Sequence, residues 1–390
     1  MNYVKLPQGV RDSLERECYN VNRVKEALRR EFLLSGYEFV QTAGLEYFDT
    51  YAGIKSPIPQ SKMFKMTDKD GNLIVLRPDM TLAVARIAAT KMTAPSAKLC
   101  YFSDIYDFSA SGNSYREVSQ AGVEVFGSDG AFADAQLVAF AIDCLAAAGV
   151  ENFIIDVGHV GFFKGLLEGS GLSAEEAEEV RGYVNAKDAI NTELSLKKYN
   201  ANGRALGAIL ALPSLFGGVE VLAEAEKLTE NPAALSALTR LKEVYAYLCE
   251  MGYEKYVSFD LGTVKSLDYY SGIVFTGLAS GVGAPLLSGG RYDGLAAEFG
   301  RGVSAIGFAI GLKRVLAALE EAGKTKDVPE PAITVICRKG GEANGYAAYR
   351  KYVKEGASCD LLPEGAASEE ILRSRGGEKF EATAGGLQKL

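Results

Sequence analysis

Two segments of the chain carry side chains whose types and spacing could hold a small polar ligand. The first is LRPDMTLAVAR, Leu76 to Arg86, where Asp79 and Thr81 follow an apolar, strand-like run. A carboxylate beside a hydroxyl at a strand end can cradle an ammonium group through charge-assisted hydrogen bonds. The same two residues could instead cap the next helix by accepting from its exposed N–H groups. The second is REVSQAGVEVFG, where Gln120, Gly122 and Glu124 recur at period two and so share one strand face. That row is either a polar wall with a gap for ligand at the glycine or a solvent-facing row. A glycine between two long polar residues argues for the wall.

Other chemistries are poorly supplied. The single histidine, His159, sits in the apolar run FIIDVGHVGFF and reads as structural, which excludes histidine-based triads and His-rich metal sites. The six cysteines show no C-x-x-C pair or metal spacing and read as buried, reduced thiols of a cytoplasmic protein. GLASGVG and SGGRYDG lack the spacing of a P-loop. A net charge of −8 argues against a wide surface for nucleic-acid phosphates. No apolar run approaches the ~20 residues of a membrane span, and MNYVKLPQGVRD is not a signal peptide. Neither a metal nor a cofactor is expected.

These residues need a scaffold that brings distant segments together. Val21, Val24, Leu28 and Phe32 have helical spacing, and Gly36 supplies a stop. NLIVLRP reads as a buried strand after the turn DKDG, and Thr81 to Met92 reads as a helix. KLCYFSDIYDF and REVSQAGVEVFG read as strands around the turn Ser109 to Ser114. An Ala-rich helix closed by Gly149, a strand at Phe153 to Val157, and strands at YVSFDL and SGIVFTG complete the pattern. Together they imply an α+β fold, a mixed and mainly antiparallel sheet flanked by helices. Residues 161–251 read as a helical insertion without a clear strand. The core spans 1–323, and the charged, Pro-punctuated stretch 324–331 is a linker. The segment 332–390 reads as a small α/β piece ending in a weak helix.

Read in order, the motifs resemble the histidyl-tRNA synthetases of class II over roughly Pro7 to Leu319. PQGVRD resembles their opening, and LRPDMT their L-R-P-E-x-T, whose carboxylate and hydroxyl bind the amino group of histidine. Gln120 and Glu124 match Q-x-x-x-E of the histidine pocket. KSLDYYSGIVFTG, SGGRYDGL and AIGFAIGLKR resemble the histidyl signature and motif 3. The resemblance thus implies a histidine pocket of Asp79, Thr81, Gln120, Glu124, Tyr269, Tyr270 and Tyr292. Apart from it, the tyrosines read as ordinary core residues.

The departures are concentrated where the synthetases hold ATP. Asp107 and Ser109 stand where their F-R-x-E places arginine and glutamate. Ser114 replaces the first arginine of G-R-x-R, leaving Arg116. Lys265 replaces the adenylation arginine and lacks its planar two-pronged donor set. Arg314, the motif 3 arginine, is present. An aspartate would repel a phosphate that an arginine clamps.

A working histidyl-tRNA synthetase is therefore the alternative reading. The chain is identified instead as a member of the ATP phosphoribosyltransferase regulatory subunits, synthetase-like chains without synthetase chemistry. That resemblance implies a short-form catalytic subunit as partner, L-histidine as feedback effector, and self-dimers within a hetero-oligomer through a motif 1 region near Tyr37 to Tyr51. An amino-acid-dependent binding module with another partner is a third possibility.

Overall fold

The computed structural model describes residues 5–53, 58–108, 116–168, 170–199, 201, 206–264, 269–366, 373 and 375–390. The chain divides into two compact units, Met1–Thr325 and Lys326–Leu390.

In the larger unit, α1 (Glu15–Leu34) turns at Gly36, which adopts φ +76°. Strands β1 (Glu38–Phe39) and β2 (Leu45–Tyr47), helix α2 (Phe48–Ala52), and strands β3 (Lys65–Thr67) and β4 (Leu73–Leu76) follow. Helix α3 (Thr81–Lys91) leads to the long strands β5 (Ala97–Tyr106) and β6 (Glu117–Phe126). Helix α4 (Ala131–Ala147) and strand β7 (Phe153–His159) come next.

Residues 161–251 are mostly helical: α5 (Val160–Leu167), α6 (Ala174–Asn185), α7 (Ala189–Lys198), α8 (Leu206–Ala211), α9 (Glu220–Glu226) and α10 (Pro232–Glu250). The expectation of no strand here needs correction, because Phe216–Gly217 forms β8 against β9 (Val257–Asp260). Two residues are too short to leave a period-two signal. Strands β10 (Ile273–Ala279), β11 (Leu287–Arg291) and β12 (Ala305–Gly311) and helix α11 (Leu312–Glu321) complete the unit.

Nine strands form one sheet in the order β1-β5-β6-β12-β11-β10-β7-β9-β8. Its pairings are antiparallel except β1 with β5 and β7 with β9. The sheet separates two apolar clusters, as period two requires. Ala121, Val123 and Val125 of β6 join Leu28, Phe32 and Val315 from the flanking helices. On the other face Leu99 and Tyr101 of β5 pack with Val84 of α3, Tyr269 and Tyr292. Gln120, Gly122 and Glu124 alternate with the first set and therefore look toward this second, smaller cluster.

In the smaller unit, β13 (Ile333–Cys337), α12 (Glu342–Lys354), β14 (Cys359–Pro363), β15 (Glu378–Thr383) and β16 (Gly386–Lys389) form a sheet in the order β14-β13-β15-β16. Its end, over 378–389, is an antiparallel hairpin, while most of 367–374, where a weak helix after β14 would fall, lies outside the described residues. Phe380 and Ala382 turn inward onto Val335 there, a burial no local pattern announces.

Candidate functional site

The second cluster holds the site. Arg77, at the end of β4, fixes the entry to α3: its Nε donates to the Asp104 carbonyl at 2.7 Å, and its Nη1 to the Thr42 and Ala43 carbonyls. The other end of α3 is held by Arg301, whose Nη1 donates to the carbonyls of Ala88 and Met92 and so caps the helix C-terminus. Between these anchors Asp79 and Thr81 enter the cluster.

Asp79 is half-buried, and its Oδ1 accepts from the Leu82 N–H at 2.8 Å. One carboxylate oxygen thus caps α3, the bland alternative of the sequence reading. Burial raises the Asp79 carboxyl to about 6 despite that bond. Thr81 Oγ1 donates to Glu124 Oε1 at 3.0 Å, and the Tyr101 hydroxyl reaches the same oxygen at 3.3 Å. The Tyr292 hydroxyl bonds Glu124 Oε2. Glu124 is 1% exposed, which rules out a solvent-facing row at this end of β6. Burial, opposed by the Tyr292 hydrogen bond and reinforced by the Asp79 charge, lifts its carboxyl to about 8. The two acidic groups thus lie close in a desolvated site, and the Asp79 charge discourages ionisation of Glu124.

Three tyrosines wall the carboxylates. Tyr269 stacks on Tyr292 with ring centroids 5.7 Å apart and meets Tyr270 edge-on at 4.7 Å. All three phenols are raised by burial first and by the neighbouring carboxylates next. The structure therefore brings together Asp79, Thr81, Glu124, Tyr269, Tyr270 and Tyr292, which come from four separate segments.

The gap imagined over Gly122 is filled. Tyr101 pairs with Gly122 across β5 and β6, and a Cβ at 122 would collide with its hydroxyl end. Likewise a Cβ at Gly307 of β12 would overlap the Glu124 carboxylate. Glycine at both positions is a packing requirement, which explains glycines in the interior of these two strands. Tyr101 was missed in the sequence because its role depends on strand register.

Gln120 lies two pairs along β6 and lines an adjoining cavity of about 690 Å³. That cavity also carries Arg11, Lys62, Asp107, Lys313 and Arg314. Asp107 stands 3.8 Å from Lys62 Nζ as an ion pair. Arg314 donates through Nη1 to the Pro285 carbonyl at 2.8 Å. Arg116 lays its guanidinium over the Phe108 ring at 5.6 Å, and its N–H donates to the Gly9 carbonyl at 2.8 Å. Gly9, at φ +80°, is crowded by the Arg116 stem, so PQGVRD braces the hairpin. Ser109, Ser114 and Lys265 lie outside the described residues. Among the described residues no group of three or more His, Cys, Asp or Glu side chains could hold a metal ion. His159 is structural: its Nδ1 accepts from Gly161 N–H at 3.0 Å and caps α5, while burial lowers it to about 4.

Comparison with known proteins identifies the family and the fold. The family model for histidyl-tRNA synthetase matches residues 9–315. A curated ATP phosphoribosyltransferase regulatory subunit from Acetivibrio thermocellus is 38% identical over 358 residues, 91% of this chain and 86% of that protein. A crystal structure described as an ATP phosphoribosyltransferase regulatory subunit/histidyl-tRNA synthetase, from Bacillus halodurans, superposes with a TM-score of 0.83. It is 30% identical, and the match covers 95% of this chain and 96% of that one. The histidyl-tRNA synthetase of Nostoc shares the fold, with a TM-score of 0.79 at 18% identity over 98% and 92% of the two chains. With the histidyl-tRNA synthetase model matched over 9–315 and 38% identity to a curated relative across most of both chains, the chain belongs to the family of ATP phosphoribosyltransferase regulatory subunits.

Proposed function

We propose that this chain is the non-catalytic partner of a short-form ATP phosphoribosyltransferase catalytic subunit. In that role it supports phosphoribosyl transfer and makes it sensitive to L-histidine. The observation that carries the reading is the contrast between a walled carboxylate pocket and a neighbouring cavity with an acid at the phosphate-clamp position. Histidine has an ammonium group and an imidazole. The Asp79 oxygen not used in capping Leu82 suits the ammonium, with Thr81 beside it. Glu124 and the tyrosine hydroxyls suit the ring nitrogens, and the stacked faces of Tyr269 and Tyr292 suit the ring itself. Gln120 stands at the mouth toward the adjoining cavity. As feedback, the effect requires histidine to bind the active and inhibited assemblies differently, a coupling typically of ~1–3 kcal/mol.

Self-dimerisation is part of the proposal. Phe39, Leu45, Tyr47, Met66 and Leu73 are large apolar residues exposed around β1 and the small sheet β2-β4-β3. Of these, Leu45, Tyr47 and Met66 share one face of the small sheet by register, an exposed apolar row of the kind that pairing covers. No helix among the described residues is long and apolar enough to cross a membrane.

The test is phosphoribosyl transfer by a purified short catalytic subunit with and without this chain across a histidine titration, beside calorimetry of histidine on the regulatory subunit alone. Stimulation that histidine suppresses is expected. No effect on a competent cognate catalytic subunit would overturn the reading, and histidine-dependent exchange of pyrophosphate into ATP would restore the synthetase alternative.

A further inference from the structure

Tyr292 is held from both sides by charged neighbours. Arg291, 3% exposed, donates through Nε and Nη2 to Asp134 Oδ1 at 2.8 and 2.6 Å. Its Nη1 reaches the Ser128 carbonyl at 3.1 Å and Asp293 Oδ1 at 3.0 Å. Asp293 accepts from Ser271 Oγ at 2.8 Å and returns its own N–H to that oxygen at 3.0 Å. Ser271 N–H donates to the Arg291 carbonyl at 2.8 Å, and Ser271 directly follows Tyr270. One polar cluster therefore fixes the two segments that supply Tyr269, Tyr270 and Tyr292. Gly272 leaves room for it, since a Cβ there would sit about 3.0 Å from Arg291 Cδ.

The cluster continues into the helical region. Asp134 of α4 spends its second oxygen on Arg240 Nε of α10, at 2.7 Å. Arg240 also reaches Asp129 with Nη2 at 3.3 Å, and its side chain is 26% exposed. From α5, Lys164 Nζ donates to the Tyr270 carbonyl at 3.3 Å. Helices α5 and α10 are packed backbone to backbone where Gly165 faces Ala234; a Cβ at 165 would stand 2.5 Å from the Ala234 nitrogen. Two tightly joined helices thus reach the segments that carry the aromatic wall, α5 through Lys164 at the Tyr270 carbonyl and α10 through Arg240 and Asp134 at Arg291.

We infer that Arg240, Asp134 and Arg291 form a positioning relay by which α10 sets the aromatic wall of the ligand pocket, although Arg240 and Asp134 line no part of it. This rests on the histidine reading only for its choice of ligand. Low local dielectric makes such a network stiff when every member is satisfied, and removal of one member leaves Asp134 short of a partner. Arg240 is the member to test, because its partial exposure tolerates substitution while the Arg291–Asp134 pair remains.

The experiment compares wild type, Arg240→Gln and Arg240→Lys in two measurements on the full-length protein. Calorimetry with L-histidine, well below the melting temperature, should show Kd raised about tenfold in Arg240→Gln at unchanged stoichiometry. Most of that loss should return in Arg240→Lys. A merely structural role would lower the competent fraction and leave Kd alone. Backbone amide exchange without ligand should be faster in Arg240→Gln over residues 269–273 and 290–294. An unchanged exchange rate there overturns the relay, whether or not histidine binds. An unchanged Kd in a wild type that does bind histidine also overturns it. A wild type that binds no histidine but shows the exchange difference in Arg240→Gln sinks the ligand assignment and keeps the relay.

Discussion

The pocket of Asp79 and Glu124 and the cavity around Asp107 and Arg314 both border the β5–β6 hairpin and have opposite characters. In the pocket the described polar groups bond mainly to one another: Thr81, Tyr101 and Tyr292 converge on a single buried carboxylate. In the cavity basic and acidic side chains are mixed, and Asp107 and Lys62 pair at the rim. A buried site keeps its shape only if each polar group stays partnered, so its residue types are tightly constrained together. A solvated rim tolerates charge reversal, because water and salt screen it. Charge can therefore change at the rim without disturbing the buried carboxylate cluster beside it.

The largest effect that would break this contrast concerns Asp79. Asp79→Asn keeps the acceptor for Leu82 N–H but removes the charge facing an ammonium, and should weaken histidine binding by about 100-fold or more in calorimetry. Binding within a factor of about three of wild type would detach Asp79 from the ligand. Asp79→Ala should add a loss of about 1 kcal/mol of stability, read by urea unfolding, for the missing cap.

A second test adds volume. Gly122→Ala drives a methyl into the Tyr101 hydroxyl end, and overpacking should cost about 1–3 kcal/mol of stability. A variant as stable as wild type would show that Tyr101 moves freely from the strand.

Titration gives a third. Glu124 carries its proton up to about 8, while a free glutamate releases it near 4.5. Between those values the folded protein binds a proton that the unfolded one has lost, so this group makes stability fall as pH rises. Asp79, raised to about 6, acts in the same direction. His159, lowered to about 4, acts in the opposite direction below its ordinary value. Unfolding by urea at pH 5 and pH 8 should show a decline that Glu124→Gln reduces by a few kcal/mol, since each tenfold change in proton affinity is worth about 1.4 kcal/mol. Equal pH slopes in both proteins would refute the raised carboxyl.

The smallest effect is expected at the rim. Asp107→Arg restores one arginine of the synthetase pattern but should give no pyrophosphate exchange and a stability change within ~0.5 kcal/mol. Measurable exchange would show that a single reversal had silenced the site.

Much of the scaffold was readable along the sequence, because helix α1, helix α3 and the β5–β6 hairpin carry local periods of 3.6 and 2. Strand β8, the hairpin β15–β16 and the glycine-rich strands β11 and β12 were not. Their residues are short of β-branched side chains, and the glycines of β11 and β12 stand where a neighbour's backbone or carboxylate needs the space. Of the site, Asp79, Thr81, Glu124 and the tyrosines could be named from spacing and resemblance. Their joint burial could not, nor could the displacement of Gln120 toward the cavity.

By itself the sequence determined the alternation that turns Gln120, Gly122 and Glu124 to one face, the single histidine, and the acid at 107. Tertiary structure alone decided that Tyr101 fills the space over Gly122 and that Asp134, Arg240 and Arg291 meet. Arg240 and Arg291 lie 106 and 157 residues along the sequence from Asp134. Periodicity reports only which neighbours in sequence share a face, whereas register and packing decide which distant side chains are desolvated together.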